Sequence, residues 1–183
     1  MNKLDTNCKG KFMSFNVRGL NGDRKRLSIF RYIKKQLVDI CLLQETFSTI
    51  QVENKWRNEW GGSVIFNHGS NHSRGTMILI RSGFDFVINN TVCDNEGRII
   101  IVKAKWCDIN VVVINLYAPT ADSCRFRYFE NLVNIFHDNL NNSDINIIAG
   151  GILILSWIII KIDKDWQKMY HIGIVEPETF LMR

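Results

Sequence analysis

The 183 residues predict an α+β fold, and three observations carry that prediction. The chain opens as strand, helix, strand. It continues as a run of short strands joined by Gly- and Asn-containing turns. A second long helix and a last apolar strand follow. Such a mixture favours sheets packed on one another with helices outside, in place of repeated β-α units.

The first strand falls at 11–17, where Phe12, Met13, Phe15 and Val17 are apolar. Arg18-Gly-Leu-Asn-Gly22 breaks it, since two glycines and an asparagine signal a loop. Asn16 therefore stands at the strand's C-terminal end. Its carboxamide can contact a metal, a phosphate or the loop backbone, and stabilising a turn is the ordinary role for that residue type. Over 23–38 the 3.6-residue period puts Phe30, Ile33 and Leu37 on one helix face, with Arg24, Arg31 and Lys35 opposite. Ile40 to Leu43 are four consecutive apolar residues, read as a strand buried on both faces. Gln44 and Glu45 follow directly. A carboxylate on the end of a buried strand is a rigidly held charge of the kind that seats a hard cation; the plainer alternative is that Glu45 marks where the strand meets water. Parallel strands in a β-α-β unit place Asn16 and Glu45 at equivalent ends, where they can converge.

Residues 46–60 read as loop and short helix, with Trp56 and Trp60 as packing groups. Strands are expected at 63–67, 76–81, 84–90, 98–106 and 109–117, arranged as antiparallel hairpins. The last finishes in polar groups: Asn115, the Tyr117 hydroxyl and Thr120. A tyrosine there can donate to a phosphate oxygen while its ring packs, or can simply cap the core. A helix over 125–140 keeps Phe126, Phe129, Val133, Phe136 and Leu140 on one face, and Asn141-Asn142-Ser143 ends it. A strand over 144–149 runs into Gly150-Gly151.

A composition of 46% hydrophobic and 22% charged residues is that of a globular protein, and two prolines leave no Pro-rich linker. Five cysteines without a C-x-x-C pair fit neither a zinc site nor a disulfide framework, which favours a reducing compartment. The first residues lack the apolar core of a signal peptide, so secretion is not expected and the N-x-[ST] matches at Asn71, Asn90 and Asn141 should be unused. No apolar run is long enough to span a bilayer, so no membrane partner is expected. The net charge of +5 suits a polyanion. Arg18, Arg24, Lys25, Arg26, Arg31, Lys34 and Lys35 cluster early, as either a solvated helix face or a backbone-contacting patch.

Five segments then resemble one family. Ser14-Phe-Asn-Val-Arg-Gly-Leu20, Leu42-Leu-Gln-Glu-Thr46, Arg74-Gly-Thr-Met-Ile-Leu79, Asn115-Leu-Tyr-Ala-Pro119 and Ile147-Ile-Ala-Gly-Gly151 have the order and approximate spacing of the endonuclease/exonuclease/phosphatase superfamily. Within it they are most similar to the apurinic-type endonuclease domain of non-LTR, LINE-like retrotransposons. The resemblance implies a four-layer α/β/β/α sandwich and Mg2+-dependent cleavage of a DNA phosphodiester, with Mn2+ as a substitute ion and a nuclear location. It implies Glu45 as metal-binding carboxylate and Asn16 as the asparagine that helps order metal and hydrogen bonds. It implies Tyr117 near the scissile phosphate and Thr120 at a DNA-backbone contact, and Arg18 and Arg24 are the expected basic contacts beside them.

The family continues its glycine pair with Asp-Phe-Asn; here Ile152-Leu-Ile-Leu155 follows. Ile152 and Ile154 stand where the acid and the asparagine belong, and an alkyl group accepts no proton. The family's closing Ser-Asp-His element is also absent, and the spacing of Asp163, Asp165 and His171 does not support them as replacements. The expectation is an N-terminal portion of such a domain over 1–151 and an atypical tail over 152–183, with the sandwich incomplete at its C-terminal end. Activity and metal binding are expected to be impaired. The alternatives are a non-catalytic nucleic-acid-binding remnant using the basic helix, an active phosphoesterase of the same superfamily, and an unselected fragment.

Overall fold

The computed structural model describes residues 9–139, 146–153, 156–157, 160–162 and 169–171. Strand β1 (Phe12–Asn16) leads through helix α1 (Asp23–Lys35) to β2 (Ile40–Gln44), which lies parallel to β1 with Asn16 level with Gln44. Helix α2 (Glu53–Trp60) precedes β3 (Ser63–Asn67) and β4 (Thr76–Ile80), and the first sheet has the order β1-β2-β4-β3. The second sheet begins as an antiparallel meander of β5 (Phe86–Cys93), β6 (Ile99–Trp106) and β7 (Ile109–Tyr117). Helix α3 (Asp122–Asn139) then crosses over to β8 (Asn146–Leu153), parallel to β7. Short strands β9 (Ser156–Trp157) and β10 (Ile160–Ile162) pair with β8, and β11 (Met169–His171) pairs with β10.

The alternation of side chains along each strand builds four layers from this order. Ile40, Leu42, Ile78 and Ile80 meet Ile100, Val102, Val111 and Val113 between the sheets. The intervening Cys41, Leu43, Met77 and Leu79 face outward onto Phe30, Ile33, Trp56 and Trp60 of α1 and α2. On the far side Ile99, Ile101, Val112 and Ile114 receive Tyr128 and Leu132 of α3. The expected α+β sandwich with helices outside is therefore the observed fold, and both tryptophans of α2 are core.

Three expectations change. Helix α1 stops at Lys35, and Leu37 takes a left-handed φ of 53° that swings it outward to 71% exposure, so Val38 takes the core place instead. Arg26, counted with the basic surface cluster, is 1% exposed. Its guanidinium grips both carboxylate oxygens of Glu59 (2.6 and 2.8 Å), Asp23 (2.7 Å) and the Leu20 carbonyl (2.9 Å), and lies over Trp56. The buried face of α3 carries Tyr128 and Leu132, flanked by Phe129, Ile135 and Phe136, while Phe126 and Val133 are exposed. Two overlapping apolar stripes at helical spacing made the sequence ambiguous there, and the sheet selects the one containing the tyrosine.

The expected boundary between residues 151 and 152 falls within β8. Leu140, Asn141–Ser143, the start of the strand at 144, Ile154, Asp163 and Asp165 lie outside the described residues. Among the described residues no helix is long and apolar enough to cross a membrane. The β6–β7 hairpin turns on Cys107 and Asp108, both left-handed at φ 48° and 66°, where glycine or asparagine is the usual choice. Asp108→Gly should therefore raise stability by about 0.5–1 kcal/mol, read as a higher urea midpoint at unchanged slope.

Candidate active site

Three strand ends meet at one rim of the sandwich. Asn16 closes β1, Glu45 follows β2 and Tyr117 closes β7. Glu45 Oε1 accepts from Asn16 Nδ2 at 2.6 Å and from the Tyr117 hydroxyl at 2.8 Å. Asn16 Oδ1 accepts from the Arg18 backbone N–H at 2.9 Å. These two contacts set the amide's orientation: nitrogen toward the carboxylate, oxygen toward the peptide N–H. Glu45 Oε2 accepts no hydrogen bond from the described residues.

Glu45 holds φ at 54°, a left-handed conformation that costs a non-glycine residue about 1 kcal/mol or more. The neighbours over-determine it. Its carbonyl accepts from Gly19 N–H at 2.6 Å, Thr46 N–H donates to the Gly75 carbonyl at 2.9 Å, and Phe47 N–H donates to the Arg74 carbonyl at 3.0 Å. Gly19 is itself left-handed at φ 86°, and a Cβ there would lie 2.7 Å from the Phe47 ring, so only glycine lets the loop close onto Glu45. Strain locked in at a charged strand end is a feature of functional sites, inferred here from an observed outlier.

Partial burial, together with the Glu45 carboxylate that accepts its proton, pushes the Tyr117 hydroxyl from 10.0 up to about 12. The folded state thus holds this proton more tightly than the unfolded one. The stabilisation is complete below pH 10 and is lost as pH rises through about 12. Tyr117→Phe should flatten the loss of stability between pH 9 and 11, measured as urea midpoints at the two pH values.

Four basic residues surround this cluster, and the sequence singled out one of them as a contact. Arg18 is exposed and left-handed at the loop start. Lys25 donates to the Arg18 carbonyl at 2.9 Å and is close enough to Glu45 to feel its charge; burial first, then Arg18, holds its ammonium below the usual lysine value. Arg98 lies 5.1 Å from the centre of the Tyr117 ring, and Arg74 acts electrostatically on the same hydroxyl. Lys25, Arg74 and Arg98 were not legible as site residues because a helix start, a loop and a strand start deliver them. Arg24 is exposed on α1. Thr120 is exposed just past β7, its carbonyl accepting from Arg125 at 2.7 Å.

Among the described residues no three His, Cys, Asp or Glu side chains gather. A Mg2+ ion asks for one or two carboxylates with substrate phosphates completing its shell. The unengaged Oε2 of Glu45 fits that demand as a lone protein anchor, while Asn16 has its oxygen turned to the Arg18 N–H.

Strand β8 brings the decisive position to the same rim. Asn115 is level with Gly150, Leu116 with Gly151 and Tyr117 with Ile152. The glycines permit this approach: a Cβ on Gly150 would lie 2.8 Å from Leu42 Cδ1, and one on Gly151 would strike the Leu116 carbonyl. The residue beside Tyr117 on the neighbouring strand is therefore aliphatic.

Two sheets, outer helices and a carboxylate–tyrosine–asparagine cluster at one rim define a class. Residues 13–151 match the Endonuclease/Exonuclease/phosphatase family, and the chain belongs to it. Over 137 residues it is 26% identical to the "Transposon TX1 uncharacterized 149 kDa protein" of Xenopus laevis, a match that covers 75% of this chain and 10% of that protein. The chain thus spans about a tenth of that relative's length. Among solved structures it is similar to the AP endonuclease of Leishmania major, with a TM-score of 0.60 and 15% identity over 77% of this chain and 54% of that one. It is likewise similar to the endonuclease/exonuclease/phosphatase of Bacteroides vulgatus, with a TM-score of 0.62 and 12% identity over 80% and 66%. At these identities the two structures speak for the fold.

Proposed function

We propose that this chain is a LINE-type DNA endonuclease domain that keeps the means to grip a phosphodiester and a divalent cation and lacks the group that deprotonates the attacking water. The observation that carries the reading is the register of β8, which sets Ile152 beside Tyr117. The transposon relative supports the retroelement part of the reading.

Glu45 Oε2 would anchor Mg2+, with Asn16 holding the carboxylate in place rather than ligating. A bound Mg2+ supplies cationic stabilisation of charge on the phosphoryl and leaving oxygens. The Tyr117 hydroxyl, kept protonated across the physiological range, donates to a phosphate oxygen when it turns from Glu45. Arg18, Lys25, Arg74 and Arg98 give the rim its positive field, and Thr120 and Arg24 extend the contacts along the DNA backbone. Water attack still needs a proton acceptor. Tyr117 is a donor at neutral pH, and Glu45 would be committed to Asn16 and to the cation.

Binding should then be sequence-tolerant and strongly salt-dependent. Arg18→Ala should lower the slope of log affinity against log salt by about one, as expected for one lost phosphate contact. Fluorescence anisotropy with a labelled duplex at several salt concentrations measures this. An affinity that ignores salt contradicts the reading.

A further inference from the structure

We propose that Gln44 and Asn115 are positioning residues, an inter-sheet clasp that fixes Glu45 against Tyr117. This rests on the reading of that rim as a cation- and phosphate-gripping site. The inward-facing row of β2 is Ile40, Leu42, Gln44, and that of β7 is Val111, Val113, Asn115, Tyr117. Both rows are apolar until the last step before the rim, where each turns to a carboxamide with no exposed surface.

Gln44 Nε2 donates to Asn115 Oδ1 at 2.7 Å, with Ser14 Oγ and the Leu42 carbonyl each at 3.2 Å. Asn115 Nδ2 donates to the Leu43 and Met77 carbonyls, both at 3.0 Å, and so ties β7 to β2 and β4 at once. An apolar pair would tolerate a slide between the sheets; directional bonds to backbone carbonyls allow one offset. That offset decides whether the Tyr117 hydroxyl reaches Glu45 at 2.8 Å, because Tyr117 lies two residues past Asn115 and Glu45 one past Gln44. Misplacements of about an ångström are enough to ruin such a site. Among the described residues Gln44 Oε1 and Thr76 Oγ1, on paired residues, are buried without partners.

The test compares the full chain with Gln44→Met/Asn115→Leu, using Mn2+ binding by electron paramagnetic resonance, thermal unfolding and the Tyr117 13Cζ chemical shift at pH 7, which reads the hydrogen bond to Glu45. That signal is assigned with Tyr117→Phe. The double variant leaves the Leu43 and Met77 carbonyls without those donors, so its unfolding temperature should fall, and both readouts are taken well below it. Mn2+ affinity should fall at least about tenfold, the cost of a misplaced ligand. The Tyr117 13Cζ shift at pH 7 should move in the variant toward the value it takes in Glu45→Ala, its acceptor displaced.

Wild-type Mn2+ affinity and a wild-type Tyr117 13Cζ shift in a folded variant would overturn the proposal, as would changes that appear only as the variant begins to unfold. If the double variant does not fold, Gln44→Met alone decides, because Asn115 keeps its two backbone bonds there. It should move both readouts in the same direction, and no movement overturns the clasp. If the parent chain binds no Mn2+, or Glu45→Ala binds it as well, the cation reading fails. The Tyr117 13Cζ shift at pH 7 needs no metal and still decides the clasp.

Discussion

Ile152→Asp should give this chain a Mg2+-dependent plasmid-nicking rate at least about 100-fold above its own background, the lower end of what a positioned general base contributes. The substitution puts a carboxylate at the residue level with Tyr117 on the adjacent parallel strand, at the rim where Glu45 and Asn16 already meet. Ile152→Asn is the control, since it has nearly the same size and polarity and accepts no proton at neutral pH. Conversion of supercoiled to open-circular plasmid over time separates the two. Glu45→Ala in the Ile152→Asp background should return the rate to background. A rate for Ile152→Asp no higher than for Ile152→Asn would show that the missing base is not what limits the chain.

Arg26→Met should destabilise the fold by about 3–5 kcal/mol, the range for breaking one side of a buried ion pair. The guanidinium is fully enclosed, and its loss strands Glu59, whose carboxylate takes two of its bonds, and removes the donor to the Leu20 carbonyl. Arg26→Lys should recover only part of the loss, because an ammonium cannot bridge both Glu59 oxygens and the loop carbonyls together. The same pair makes the fold acid-sensitive. The Arg26 hydrogen bonds hold the Glu59 carboxyl below its ordinary 4.5, so its contribution is complete above that pH and is lost as pH falls through the folded value. Urea midpoints for the three proteins at pH 7 and pH 4 measure both effects, and a midpoint for Arg26→Met equal to the parent's contradicts them.

The sequence carried the fold far because its strands are strongly marked. The unbroken run Ile40 to Leu43 and the long 109–117 strand are buried as their composition demands, and Asn16, Glu45 and Tyr117 stand at their ends by chain order alone. That they also touch follows from the parallel β1–β2 pair and from the packing of β7 against β2, the first of which the β-α-β opening already implied. What stayed hidden depends on tertiary contacts without a periodic signature. Arg26 looks like any surface arginine until Glu59 closes over it, and Lys25, Arg74 and Arg98 reach the rim from a helix start, a loop and a strand start. The outer face of α3 could be decided only by the sheet beneath it.

One native gel separates a rim that grips DNA without cutting it from a rim that does both. The unaltered chain is incubated with supercoiled plasmid and Mg2+ at low salt, and half of each sample is stripped of protein before loading. Retarded plasmid is expected in the untreated lanes and intact supercoils in the stripped lanes. Open circles that accumulate in the stripped lanes, and that Glu45→Ala abolishes, would contradict this expectation.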